Sequence, residues 1–222
     1  MFITALVKML PAPKAALEQT DKNCYDQLIQ SVFEADRADT GSHSIVAISS
    51  VSAGAGASFV IREIGFELAR YEDGKVAIVD ADRLQTITKP ELEKWLKLGE
   101  VAGTGLFWLK NEPNFSSDEP KKARRNADSW RKDAKFRREC LQLLGARFKY
   151  VLIDCHVAGT SAALTAMAKL VDGVVLVASA GQTRKDEIYR AERIVEAAQG
   201  KILGLILNKR TYPIPGWLYR RI

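Results

Sequence analysis

Gly54, Ala55, Gly56, Ala57, Ser58 and Phe59 lie between an apolar run, Ile45–Ile48, and an amphipathic segment, Phe59–Tyr71. Glycines at 54 and 56 allow a turn that brings backbone N–H groups to an anion, and a helix opening at Ser58 adds its own unpaired amides. That is phosphate-binding chemistry. In the P-loop pattern Gly-x-x-x-x-Gly-Lys-[Ser/Thr], Gly56 and Ser58 fill their places, but Ala57 takes the lysine position and Val51 that of the first glycine. The lysine ordinarily neutralises the β- and γ-phosphates, and phosphoryl transfer is mostly the placing of charge. The stretch keeps the outline of a nucleotide site without its main cation.

Carboxylates recur at the ends of two later apolar runs: Asp80 and Asp82 after Val76–Val79, and Asp154 after Tyr150–Ile153. At a working P-loop site a loop serine and strand-end aspartates position Mg²⁺ and the nucleophile, so Ser58, Asp80 and Asp154 are the expected magnesium set. One such aspartate means little, because helix caps also place Asp there. Two such strands behind a glycine loop, in this chain order, are a stronger signal. Cys155 and His156 invite a Cys/His nucleophile. Neighbours on a strand face opposite ways, however, so a packed cysteine and a loop histidine are expected instead. His43 reads as a surface residue.

The elements that must hold these groups alternate. Strands are expected at Ile45–Ser49, Val76–Val79, Leu106–Leu109, Tyr150–Ile153, Gly173–Val177 and Ile202–Leu207. Helices are expected at Ser58–Tyr71, Pro90–Leu98, Lys121–Ala146, Ser161–Leu170 and Lys185–Gln199. Near-continuous apolar strands between helices imply an α/β fold, a mostly parallel sheet with helices on both faces. Residues 1–43 read as an N-terminal helical lead-in, with a helix near Lys22–Ala38, before a single domain over 44–222.

A chain of 222 residues with 47% hydrophobic content can bury a core of its own. No apolar run reaches membrane-spanning length, and Met1–Leu10, short and interrupted by Lys8, does not read as a signal peptide. Cys24, Cys140 and Cys155 have no paired spacing and read as reduced thiols of a cytoplasmic protein. Charge is localised. Residues 121–138 carry nine basic side chains against Asp128 and Asp133, a net +7 in a chain of +6 overall. Of these, Lys121, Lys122, Arg124, Arg125, Arg131 and Lys132 are the candidate contacts for an anionic partner or membrane surface. Aromatic residues are too sparse there for a base-stacking platform, so nucleic acid is disfavoured.

In this order the motifs resemble the cytoplasmic domain of the bacterial tyrosine kinases of exopolysaccharide synthesis, the BY-kinases, relatives of the MinD/ParA P-loop ATPases. Ser50–Ser58 resembles their Walker A, Val76–Arg83 their second Walker motif, and Phe148–Asp154 their Walker B. Val171–Val177, Thr183–Ala191 and Gly204–Asn208 are similar to the family's last strand-helix-strand, and Tyr212–Arg221 to its tails. The resemblance implies a P-loop NTPase-like fold, ATP or ADP with Mg²⁺, and a separate inner-membrane chain-length protein (a polysaccharide co-polymerase) as partner. It allows a homo-oligomer and a cytoplasmic place at the inner membrane.

The departures are specific. Ala57 replaces the Walker A lysine, Ser52 stands where a second, signature lysine is common, and Cys155-His156-Val157 follows Asp154. The oligomerisation motif Glu-x-x-Arg-x-x-Arg is not visible, and the tail holds only Tyr212 and Tyr219. Together they imply a pseudo-enzyme in which Asp80, Asp82 and Asp154 are vestigial. Such a subunit would regulate or scaffold exopolysaccharide assembly, with Tyr212, Trp217 and Tyr219 as docking residues. Two rivals stay open. One is an active ATPase or tyrosine autokinase whose substitute cation is Lys75, Lys89 or Lys209; the other is a ParA-like DNA-partition protein.

Overall fold

The computed structural model describes residues 7–11, 27–34, 43–71, 75–98, 100–101, 105–109, 133–160 and 162–210. Its strands are β1 (Val7–Pro11), β2 (Ser44–Ser50), β3 (Val76–Asp80), β4 (Glu100–Val101), β5 (Leu106–Leu109), β6 (Tyr150–Val157), β7 (Gly173–Ser179) and β8 (Ile202–Arg210). The helices are α1 (Ala57–Tyr71), α2 (Ala81–Thr86), α3 (Lys89–Leu98), α4 (Ala134–Arg147), α5 (Ala162–Met167) and α6 (Lys185–Ala197), with a π-helical turn at Gln30–Glu34. The strands form one eight-stranded sheet in the order β1-β8-β7-β2-β6-β3-β5-β4. All its pairings are parallel except β4 with β5.

The continuous apolar runs divide between two cores by strand alternation. Ile45, Ala47, Ala77, Val79, Val151, Ile153, Val174 and Leu176 pack in one cluster. Val46, Ile48, Val76, Ile78, Tyr150, Leu152, Val175 and Val177 pack in the other, beneath α1. A strand buried on both faces needs no polar alternation, which is why these segments read as unbroken hydrophobic runs. Helix α1 meets its core through Val60, Ile61, Ile64 and Leu68, a helical spacing. A Cβ on Gly65 would lie 2.6 Å from Ile78 Cδ1, so glycine lets α1 settle close to the sheet.

Three differences from expectation are the largest. β6 continues past Ile153 to Val157, because Asp154 pairs with Asp80 of β3 and Val157 with Ser50 of β2. Of the helix expected over Lys121–Ala146, residues 121–132 lie outside the described residues; α4 itself starts at Ala134, because Asp133 is extended and its Oδ1 accepts from the Lys135 and Phe136 amides, a capping geometry. Val7–Pro11, within the stretch set apart as a lead-in, adds an edge strand parallel to β8.

Candidate functional site

β2 is the central strand, flanked by β6 and β7, and at its carboxyl end the chain turns through residues 51–56 into α1. Open parallel sheets bind ligands at this edge. Gly54 and Gly56 have φ of 75° and 94°, the left-handed region that glycine enters without strain. Ala55 N–H donates to Ser52 O at 3.2 Å, and Ala57 N–H to Ser50 Oγ at 3.3 Å. Among the described residues no acceptor engages the amides of Gly54, Gly56, Ser58 or Phe59. Ser58 is exposed and Phe59 half-buried, with the Arg62 guanidinium 5.1 Å from its ring centroid. Ala57 is 2% exposed and packs in the apolar cluster under α1, so position 57 offers a buried methyl group in place of an ammonium. Ser52 is hydrogen-bonded to Thr183 Oγ1 at 3.1 Å, tying the loop to the segment after β7.

Of the three candidate substitute lysines, one reaches the loop. Lys75 precedes β3 and sits at the amino edge of the sheet, a strand length of about 16 Å from the site. Lys89 opens α3 and faces Glu139 at 3.8 Å. Lys209, near the end of β8, donates from Nζ to Gly54 O at 2.6 Å. Next to it the buried Asn208 donates from Nδ2 to Ala55 O at 2.9 Å. Nothing in the motif reading singled out Asn208; its signal was a polar residue closing an otherwise apolar strand.

The acidic side of the site is joined by the histidine that had been set aside. A cavity of about 230 Å³ is lined by Ser58, Asp80, Asp154 and His156, with Ile61, Ile78 and Trp108 as its apolar wall. It is smaller than the ~300 Å³ at which pockets for drug-sized ligands begin. His156 Nε2 lies 3.3 Å from Asp80 Oδ2 and 3.6 Å from Asp82 Oδ2, while the His156 backbone N–H donates to Asp154 Oδ1 at 3.1 Å. Its φ of 53° is left-handed, and its carbonyl accepts from Ser49 Oγ at 3.0 Å. Asp80 also caps α2, its Oδ1 accepting from Arg83 N–H at 2.9 Å. The neighbouring Cys155 is fully buried, and burial pushes its thiol pKa up. A Cys155–His156 nucleophile has no basis here.

The hydrogen bond with Asp80, added to the charges of Asp154, Asp80 and Asp82, outweighs burial and raises the His156 pKa to about 9. Burial pushes Asp80 the other way, but the His156 and Arg83 hydrogen bonds and the imidazolium charge leave its pKa below the ordinary carboxylate value. At neutral pH the site therefore holds an imidazolium among carboxylates. The folded state keeps a proton that the unfolded chain releases near pH 6.5. The pair's stabilisation is thus fully present below that pH and fades as pH rises through about 9. Melting temperature measured from pH 6 to pH 10 is expected to fall more steeply in the wild type than in His156→Gln. Parallel curves would detach the pair from stability.

A magnesium ion held by Ser58, Asp80 and Asp154 does not fit this arrangement. The three residues share the cavity wall. Yet both oxygens of Asp80 are engaged, one by Arg83 N–H and one by His156, and Asp154 Oδ1 takes the His156 amide. Mg²⁺ needs oxygen ligands at about 2.0–2.1 Å in an octahedron. It would meet an imidazolium instead.

The remaining sequence candidates are apart from this site. Lys121, Lys122, Arg124, Arg125, Arg131, Lys132, Tyr212, Trp217 and Tyr219 lie outside the described residues. Of the same basic run, Lys135 and Arg138 are exposed, whereas Arg137 is buried against the core. Among the described residues no helix is long and apolar enough to cross a membrane.

No family model matches the chain. It is 26% identical to the tyrosine-protein kinase CpsD of Streptococcus agalactiae over 176 residues, 75% of this chain and 76% of that protein. The kinase domain of the Escherichia coli tyrosine kinase ETK superposes with a TM-score of 0.67 at 18% identity, covering 95% of this chain and 92% of that one. A plasmid partition protein of Borrelia burgdorferi, solved bound to AMPPNP, superposes with a TM-score of 0.53 at 13% identity over 82% of each chain. Fold and sequence therefore agree that this chain is a homologue of the tyrosine-protein kinase CpsD, built on the α/β architecture common to bacterial tyrosine-kinase domains and ParA-like proteins.

Proposed function

We propose that this protein is a degenerate BY-kinase-like subunit that regulates or scaffolds exopolysaccharide assembly, with impaired ATP binding and no tyrosine autophosphorylation. One observation carries the reading. The groups that would handle Mg·ATP are replaced or already engaged: Ala57 is a buried methyl where the lysine belongs, and His156 is paired with Asp80. Phosphoryl transfer depends on cations at the phosphates, and this chain has moved its positive charge onto its own carboxylates. The partner is an inner-membrane chain-length protein, which would hold the subunit at the cytoplasmic face. The contacts assigned to it are the basic side chains at 121, 122, 124, 125, 131 and 132 and the tail residues Tyr212, Trp217 and Tyr219. Such a contact driven by exposed charge would weaken as salt rises past about 0.1 M.

Purified protein incubated with ATP and Mg²⁺ is expected to gain no phosphate by intact mass. Phosphate on Tyr212 or Tyr219 that disappears in Asp80→Asn or Asp154→Asn would make the chain a working kinase and end the regulatory reading.

A further inference from the structure

We infer that the amino edge of the sheet is a membrane-docking face, a lysine-rich surface that binds anionic phospholipid headgroups and turns the glycine loop away from the bilayer. The inference rests on the proposed placement at the cytoplasmic face of a membrane and adds a direct lipid contact to it.

Backbone topology gathers the charge. β2, β3, β5, β6, β7 and β8 run parallel, so all of them start at one edge, opposite the glycine loop and the acidic cluster. Lys75, Lys149 and Lys201 immediately precede β3, β6 and β8. Lys149 N–H donates to Lys75 O at 2.8 Å, which sets two of them side by side. Helices α1, α3 and α4 run back toward the same edge, with Arg70, Lys97 and Arg147 in their last turns. Lys169 follows α5, just before β7. Lys149 is half-buried and the other six are exposed. The described carboxylates on this edge are Glu67, Asp172 and Glu196. Glu67 is held by Arg70 at 2.7 Å, and Asp172 accepts from Ile45 N–H at 2.6 Å.

Basic residues in a last turn complement the helix dipole, which accounts for Arg70, Lys97 and Arg147. It does not account for lysines ahead of strands, because sheets have only small net dipoles. Residues 121–138 carry +7 of a chain at +6, so the remainder is close to neutral. Its charge is sorted rather than in excess, with Asp80, Asp82 and Asp154 gathered at the other edge. From Lys75 to Lys201 the face crosses from β3 to β8, four strand spacings or about 19 Å. Lys149 and Arg147 lie over the rings of Tyr150 and Phe107, but both rings are buried. The exposed Tyr189 is in the first half of α6, toward the opposite edge. Bases would therefore find no ring to stack on. Lysine, a compact charge on a flexible stem, suits a fluid layer of headgroups, and an anionic leaflet attracts such clusters over about a Debye length.

The experiment is cosedimentation at low salt with vesicles of phosphatidylglycerol and phosphatidylethanolamine, and with vesicles of phosphatidylcholine alone. Wild type is compared with Lys75→Glu/Lys169→Glu and with Arg190→Glu/Arg193→Glu, which makes the same change of net charge on exposed positions of α6. All four positions are exposed, so both variants are expected to fold, which their melting temperatures verify. Wild type is expected to bind the anionic vesicles and not the phosphatidylcholine ones. The edge variant should lose at least tenfold in partitioning, and the α6 variant no more than about twofold. Equal losses in the two variants, no loss in the edge variant, or no wild-type binding overturns the inference. Tighter binding to a DNA duplex than to the anionic vesicles, lost in the edge variant, overturns it in favour of nucleic acid. Phosphate transfer to a tyrosine would end the regulatory reading and leave vesicle binding unchanged, because no residue of this edge lies at the site.

Discussion

Ala57→Lys is expected to raise the affinity for ATP at least tenfold. The surrounding geometry is in place: left-handed glycines at 54 and 56, unengaged amides at the start of α1, and a hydroxyl at Ser58. What is missing is a charge beside the β- and γ-phosphates, and tenfold corresponds to only about 1.4 kcal/mol. The substitution also has a cost. Ala57 is buried in the apolar cluster beneath α1, and forcing extra methylenes into a packed site typically costs about 1–3 kcal/mol. Affinity should therefore rise while the melting temperature falls. Calorimetry showing no gain in a folded Ala57→Lys protein would mean that the loop has lost the shape of a nucleotide site as well as its charge.

The strands and the loop were legible because both are written in local sequence. A strand buried on two faces must be apolar throughout, so β2, β3, β6 and β7 stand out as runs of aliphatic residues. Glycines at 54 and 56 likewise mark a turn that few other residues can make. What escaped was long-range. β1 and the approach of Lys209 to Gly54 depend on which strands become neighbours, and β8 pairs with β1 and β7 only in the finished sheet. His156 was judged by its neighbour in sequence, Cys155, whereas its partners Asp80 and Asp82 lie more than seventy positions away on the adjoining strand and helix. The helix start at Ala134 was local but hidden. An apolar spacing that runs through Asp133 hides it, and only the side chain folding back on the Lys135 and Phe136 amides marks Asp133 as the cap of α4.

His156→Ala is expected to do two opposite things, and the opposition makes it the sharper experiment. Removing the imidazolium takes its charge away from Asp80 and Asp154, which share one cavity wall, and from the nearby Asp82. Like charges at this separation destabilise the fold, by about 1 kcal/mol at pH 7 once the partial exposure of His156 is allowed for. The loss should shrink as pH falls and the carboxylates protonate. At the same time Asp80 Oδ2 becomes free to ligate, with Ser58 and Asp154 on the same wall. Divalent binding is therefore expected to be tighter than in the wild type, read out with Mn²⁺ by electron paramagnetic resonance and by a metal-dependent recovery of the melting temperature. His156→Gln supplies the comparison, since it keeps a hydrogen-bonding side chain but no charge. If the histidine acts as a built-in cation, glutamine should behave as alanine does toward Mn²⁺. A wild type that binds Mn²⁺ as tightly as either variant would show that His156 yields its place readily, and the acidic cluster would again be a magnesium site.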